Sequence, residues 1–203
     1  MTPPRNPDLR RQIKARLLAL PPRAFELFAG DLLEFIGLRA VSVTRYSGDG
    51  GIDAIGNLET SAALISIPTG VQVKRYRANV QRPDIDRFIG ALSGQYAHGI
   101  FITTAGYTRQ ATLKAAAAIP RVATVDGDQV VALMLQHQLG IAQLAGSAGN
   151  LDEQYFGQFG AQASAGPRRV AERTEGYQVG VDAGLAVRPE EDLISLRALS
   201  HAL

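Results

Sequence analysis

The sequence predicts an α/β fold of three layers, with helices on both faces of a central mixed sheet. Short apolar runs such as Gly99-Ile100-Phe101-Ile102-Thr103-Thr104 and Val122-Ala123-Thr124-Val125 alternate with stretches at helical spacing, as strands buried between helices do. The Gly-rich turn Ser47-Gly48-Asp49-Gly50-Gly51 precedes the β-type run Ile52-Asp53-Ala54-Ile55; such a turn launches a hairpin and makes that part of the sheet antiparallel. With 203 residues, 46% hydrophobic and 20% charged, the chain is long and apolar enough to bury one good-sized core.

The elements follow in order. Asn6-Pro7-Asp8 is a helix start, with Asn as N-cap, Pro at the first helical position and Asp by the dipole. Leu9, Ile13, Leu17 and Leu20 recur at helical spacing, Arg10, Arg11, Lys14 and Arg16 surround them, and Pro21-Pro22 breaks the run. The basic face is either solvated surface or a DNA-backbone contact. A second helix spans about Arg23 to Ile36, with Phe25, Phe28, Ala29, Leu32, Leu33 and Ile36 as its stripe and Gly37 as its stop. Glu26 flanks that stripe, as a dipole-favoured exposed residue or as an auxiliary residue of a site.

Ala40 to Tyr46 is a β-type run, and a strand follows at Val71-Gln72-Val73-Lys74. Between them, Ala62 to Ile67 is a candidate strand extension before a Pro68-Thr69-Gly70 turn. Arg82-Pro83-Asp84 opens a third helix, Tyr107 to Ala118 is an Ala-rich helix ended by Pro120, and Asp126-Gly127-Asp128 starts another. Residues 145–168, rich in Gly, Ala, Ser and Gln, read as linker or tail. Pro189 to Leu203 has the spacing of a short closing helix. The expected organisation is a helical lead-in (1–21), a main domain (22–144) and a linker with tail (145–203).

Several function classes drop out. The chain has no Cys, so neither disulfides nor thiolate zinc sites are available. Its three His (98, 137 and 201) are scattered, against a His-based metal site. No apolar run reaches a membrane span, and the start lacks a signal peptide's apolar core. The cytoplasm is the expected location, with no membrane partner. Net charge is +2, divided unevenly: residues 1–87 hold 13 Lys and Arg against 9 Asp and Glu, residues 150–203 hold 5 against 8. A basic first half permits nucleic-acid binding.

The chemistry concentrates between residues 47 and 76. Side chains alternate along a strand, so Gln72 and Lys74 share one face and Val71 and Val73 the other. If the Asp53 run pairs with this strand, Asp53, Gln72 and Lys74 converge. A carboxylate, an amide oxygen and an ammonium together suit a hard divalent metal and a phosphate. The same Asp and Lys on adjacent strands also read as a surface ion pair of little energetic worth.

The stretches GDGGID (48–53), VQVKRY (71–76), IGAL (89–92), GIFITTAGYTRQA (99–111) and VDGDQVVALM (125–134) occur in this order, behind the helix FELFAGDLLEFIGL (25–38). Together they resemble the Mrr-type restriction endonuclease catalytic domain, a branch of the PD-(D/E)xK nucleases, over roughly Pro22 to Gly140. The resemblance implies a restriction-endonuclease-like fold and a metal-dependent endonuclease acting on double-stranded DNA. It makes Asp53 the metal-binding Asp and Lys74 the catalytic Lys. Gln72 stands where most of the superfamily has Asp or Glu, a replacement this branch tolerates, and Ile52 replaces the usual Pro. Mg²⁺ or Mn²⁺ would be shared by Asp53, the Gln72 amide oxygen and the Val73 backbone carbonyl. A neutral Gln attracts a cation less than Glu, so metal affinity should be weak.

Arg45, Arg75, Arg77 and Arg82 are candidates for DNA phosphate contacts, or solvated strand and loop ends. A homodimer is expected, because two sites cut two strands most simply. Relatives usually carry an N-terminal winged-helix domain that selects DNA, and only about twenty residues precede the nuclease helix here. Either the chain is a short family member or a fragment lacking a recognition domain, or recognition comes from a separate domain, a partner protein or the tail. Methylated foreign DNA is the substrate that the resemblance implies. A repair or recombination nuclease such as a junction resolvase, and a catalytically weak DNA-binding module of a defence complex, are the competing readings.

Overall fold

The computed structural model describes residues 7–44, 51–59, 65–142 and 149–165. Helix α1 (Pro7–Ala19) and helix α2 (Pro22–Phe35) come first, followed by β1 (Arg39–Val43), β2 (Ala54–Glu59) and β3 (Ser66–Lys74). After α3 (Arg82–Leu92) the chain alternates: β4 (His98–Thr103), α4 (Arg109–Ala116), β5 (Arg121–Val125) and α5 (Gly127–His137). A two-stranded pair, β6 (Ile141–Ala142) with β7 (Asn150–Leu151), leads to α6 (Glu153–Ser164).

The main sheet has the order β1-β2-β3-β4-β5. β1 and β2 pair antiparallel, as do β2 and β3, while β3, β4 and β5 run parallel. The sheet is therefore mixed. Helices α1, α2, α5 and α6 bury their stripes on one face against Val71, Val73, Ile100, Ile102, Ala123 and Val125. Helices α3 and α4 cover the other, with Ile85, Phe88, Leu92, Ala111 and Ala115 packed against Phe101 and Val122. That is the three-layer α/β/α arrangement.

Local chemistry explains the boundaries. Pro21-Pro22 separates the first two helices, but Pro22 also opens α2, where its missing N–H costs nothing. Gly37 ends α2 at φ 109°, a conformation that favours glycine. Asp126 and Gln129 exchange two 2.8 Å side chain–backbone bonds as a capping box at the start of α5.

Three expectations change. Pro68-Thr69-Gly70 is not a turn: it lies within β3, opposite Asn57, Gly56 and Ile55. The Pro68 carbonyl accepts from Ala97 on the side where β4 has not yet begun, so the missing N–H removes no ladder bond. Tyr107 stays outside α4, bridging to Val80 with its hydroxyl donating to the Phe101 carbonyl at 2.7 Å. The presumed linker over 145–168 contains α6, capped by Asp152 and buried through Phe156 and Phe159. The Ser47–Gly50 turn, Arg45 and the closing helix after Pro189 lie outside the described residues.

Candidate active site

The topology brings together residues that are distant in sequence. Because β2 runs against β3, its start lies at the end of β3. Parallel β4 and β5 finish along the same edge. Asp53 immediately precedes β2, and Lys74 is the last residue of β3. Open α/β sheets bind ligands at this carboxyl edge of their parallel strands.

Asp53 is only 2% exposed. Its backbone N–H donates to the Val71 carbonyl at 2.8 Å, and its Oδ2 accepts from the Val73 N–H at 2.8 Å. Lys74 Nζ stands 3.7 Å from the same oxygen, with 30% of its side chain exposed. A buried carboxylate next to an ammonium that still meets solvent differs from an exposed ion pair, in which neither charge is desolvated. Among the described residues, Oδ1 has no hydrogen-bond partner and the Gln72 amide has none either. Gln72 is 6% exposed and lies against Gly51, where a Cβ would overlap its amide. Along a strand one residue's N–H and C=O leave from the same edge, so the Val73 carbonyl points to the side where its N–H meets Asp53.

The available donors are therefore all oxygens: one carboxylate, one amide and one carbonyl. Such a set fits a hard divalent cation. Among the described residues no group of three or more His, Cys, Asp or Glu is placed to hold a metal, and the donors named here include one carboxylate.

The remaining sequence candidates are dispersed around this centre. Glu26 pairs with Arg23 at 2.8 Å on the first turns of α2. Arg75 turns toward α1, donating from Nη1 to the Leu18 carbonyl at 2.9 Å, while its buried Nε has no hydrogen-bond partner among the described residues. Arg77 is exposed and, among the described residues, has no hydrogen-bond or ion-pair partner. Arg82 pairs with Asp86 at 3.3 Å. Thr103 and Thr104 are engaged locally, Thr103 accepting from the Ala105 N–H and Thr104 donating to the Tyr76 carbonyl. A cleft of about 380 Å³ opens beyond the ends of β3, β4 and β5, lined by Lys14, Tyr76, Arg77, Asn79, Thr104 and Asp126 among others. Burial pushes the Tyr76 phenol up, Asp84 adds to the shift and Arg87 opposes it.

Two residues beside the site are not apparent from the sequence. Arg23 Nη1 also donates to the Thr44 carbonyl at 2.6 Å. The Thr44 N–H in turn donates to the Asp53 carbonyl at 2.9 Å. The i,i+3 spacing of Arg23 and Glu26 hints at their pairing. Their link to Asp53 is tertiary and has no sequence signal.

The fold and this edge define a nuclease-type α/β/α domain of the restriction-endonuclease class. A family model described as restriction endonuclease, Mrr_cat, matches residues 17–134, and the chain belongs to that Mrr catalytic-domain family. It is 35% identical over 153 residues to the type IV methyl-directed restriction enzyme EcoKMrr of Escherichia coli (strain K12), covering 71% of this chain and 48% of that enzyme. The chain thus spans about half the length of this relative. Among solved structures, the DNA modification-dependent restriction endonuclease AspBHI is similar at TM-score 0.57 and 22% identity, over 80% of this chain and 41% of the other. The MspJI restriction endonuclease, in complex with a 27-mer oligonucleotide, is similar at TM-score 0.53 and 21% identity, over 80% and 36%. Among the described residues no helix is long and apolar enough to cross a membrane.

Proposed function

We propose that this chain is the catalytic part of a Mg²⁺- or Mn²⁺-dependent DNA endonuclease that restricts modified DNA. The observation that carries the reading is the buried Asp53 carboxylate, bracketed by the Val73 N–H and Lys74 Nζ at the sheet edge beside Gln72. Its substrate follows from the methyl-directed description of EcoKMrr, and its location would be the cytoplasm.

Asp53, the Gln72 amide oxygen and the Val73 carbonyl would hold the metal, which when bound supplies Lewis-acid neutralisation of phosphoryl charge and a more acidic water. Lys74 brings a positive charge to the edge where the phosphate would lie. It offsets charge that builds on the phosphoryl oxygens and orients the attacking water. The Val73 N–H occupies one lone pair of Asp53 Oδ2 and fixes the carboxylate, leaving its other oxygen for the metal. Arg77, whose guanidinium has no partner among the described residues, is the foremost of the arginines for a backbone phosphate. Arg45, Arg75 and Arg82 complete the proposed set, Arg75 with one donor already committed to Leu18. We read residues 22–144 as the catalytic domain, acting as a homodimer on duplex DNA, with recognition supplied by a further domain or partner protein.

The test is incubation of methylated and unmethylated plasmid with Mg²⁺ or with EDTA, alongside Asp53→Ala and Lys74→Ala. Metal-dependent cutting that both variants lose, with methylated plasmid preferred, is the expected outcome. Binding without cutting on every substrate overturns the enzyme reading. A weakly catalytic DNA-binding module is then favoured by the single carboxylate of the donor set. That same feature predicts weak Mg²⁺ binding in the absence of DNA, and tight binding by isothermal titration contradicts it.

A further inference from the structure

Asp53 lies just outside the β2 ladder, so its backbone is fixed from two sides. On one side is β3, through the bond from its N–H to Val71. On the other is Thr44, the residue after β1, whose N–H reaches the Asp53 carbonyl at 2.9 Å. The Thr44 Oγ1 lies 2.9 Å from the Ile52 carbonyl and 3.1 Å from that of Asp53. Thr44 is itself held. Its carbonyl accepts from Arg23 Nη1 at 2.6 Å, and the same nitrogen is paired with Glu26 Oε2 at 2.8 Å. Both bonds are charge-assisted and partly buried, the kind that is short and strong. A chain of contacts therefore runs from the first turns of α2 to the metal-binding candidate: Glu26, Arg23, Thr44, Asp53.

We infer that Arg23 and Thr44 are positioning residues that set the Asp53 carboxylate, and that Glu26 acts through Arg23. The inference rests on the nuclease reading above. Without the Arg23 contact, the end of β1 keeps its bonds to Asp53 and β2 but loses its anchor to α2. The support of Asp53 on the side away from β3 is then looser, while its bond to Val71 stays. The carboxylate would then sample orientations away from the one in which Oδ2 meets the Val73 N–H and Lys74 Nζ. Both metal capture and turnover should suffer, while DNA affinity should not.

Arg23→Met, Arg23→Lys and Thr44→Val test this in the full chain. Two readouts are needed: steady-state cleavage against Mn²⁺ concentration, and the Mn²⁺-induced rise in thermal midpoint without DNA. For Arg23→Met we expect kcat to fall by about tenfold to 10²-fold, the scale on which a misplacement near 1 Å acts. We also expect a several-fold higher half-saturating Mn²⁺, a smaller midpoint rise and an unchanged KM for DNA. Arg23→Lys keeps one cation able to reach both Glu26 and the Thr44 carbonyl and should recover part of the loss. Thr44→Val keeps the backbone bonds, drops the Oγ1 contacts, and should show a milder form of the same pattern.

A lower stability with unchanged Mn²⁺ response and kcat in Arg23→Met and Thr44→Val would reduce these residues to scaffolding and overturn the inference. A raised KM with a shallower salt dependence of DNA binding would make Arg23 a phosphate contact instead, which also overturns it. If Arg23→Met does not fold, Arg23→Lys and Thr44→Val decide by the same criteria. Should the wild type cut no DNA at all, the nuclease reading fails, and the DNA-free Mn²⁺ midpoint shift still tests the positioning separately.

Discussion

The two faces of the sheet are covered in different ways. On the α1/α2/α5/α6 side, long apolar stripes meet in one continuous cluster, and Phe28 alone faces the rings of Phe25, Tyr155, Phe156 and Phe159. On the α3/α4 side the cluster is smaller, and small residues line it: Ala111, Ala115 and Ala118, with Gly70 and Gly99 letting Leu92 and Phe88 approach the strands. Strand β3 is shared between them. Val71 and Val73 feed the larger core, while Gln72 stands beside Phe101 of the smaller one. The larger face carries most of the burial that stabilises the domain, and the thinner face leaves room for polar residues at its edge.

That division can be broken most directly with two phenylalanines. Phe28→Ala should cost about 5 kcal/mol and Phe88→Ala about 3 kcal/mol, opposite ends of the range for such truncations. Denaturant unfolding followed by circular dichroism would measure both. The smaller change should carry the larger functional penalty, because Phe88 packs on Phe101, the neighbour of Gln72. Equal stability losses with equal activity would erase the distinction between the faces.

A finer cut concerns the seam between α2 and α6. The Tyr155 hydroxyl donates to Asp31 Oδ2 at 2.9 Å. Tyr155→Phe should cost about 2 kcal/mol, within the net range for a hydrogen bond to a charged group, and leave cleavage untouched, since the bond serves the larger face only. The midpoint of thermal unfolding reads the first outcome and the plasmid assay the second.

The smallest effect at ordinary pH comes from the same phenol. Burial first, then the Asp31 carboxylate and its hydrogen bond, push the Tyr155 hydroxyl well above its ordinary 10.0. Burial also raises Tyr107, on the other side of the sheet. For a group whose folded pKa lies above its unfolded value, the stabilisation is complete below the unfolded pKa and is lost as pH rises past it. Stability should therefore be flat in these groups up to about pH 9 and decline above about pH 10. Tyrosinate absorbance should appear together with unfolding. Ionisation of these phenols in a still-folded domain would contradict the burial that shifts them.

Much of this was legible in the sequence where the signals were local. The α2 stripe, the Asp126 capping box and the apolar runs of β4 and β5 all depend on neighbours within one or two turns, and pattern reading captures such relations. The meeting of Asp53 and Lys74 was legible because the turn before Asp53 and the alternation along β3 imply that their strands pair and bring both residues to one edge. Other features depended on distant partners. Pro68 is acceptable within β3 only because β4 starts one residue too late to need its N–H. Helix α6 was hidden because Gly157, Gly160, Ala161 and Ala163 give it the composition of a linker, and Phe28 of α2 supplies the surface that holds it. The grip of Arg23 on Thr44 spans 21 residues and two elements, and no periodicity announces it.

Gly51 has a φ of 110° and stands where a Cβ would strike the Gln72 amide. Its consequence is evolutionary. The two positions are not free to vary independently: a side chain at 51 demands both a strained backbone and a retreat of the residue at 72. Exchange of Gln72 for Glu keeps the same length and is compatible with Gly51. A side chain at 51 would have to adopt a backbone that strains any L residue and would push the movable end of Gln72 out of its place. Epistasis of this kind ties the turn to the ligand, so a library randomised at both positions should return glycine at 51 wherever a Gln or Glu survives at 72.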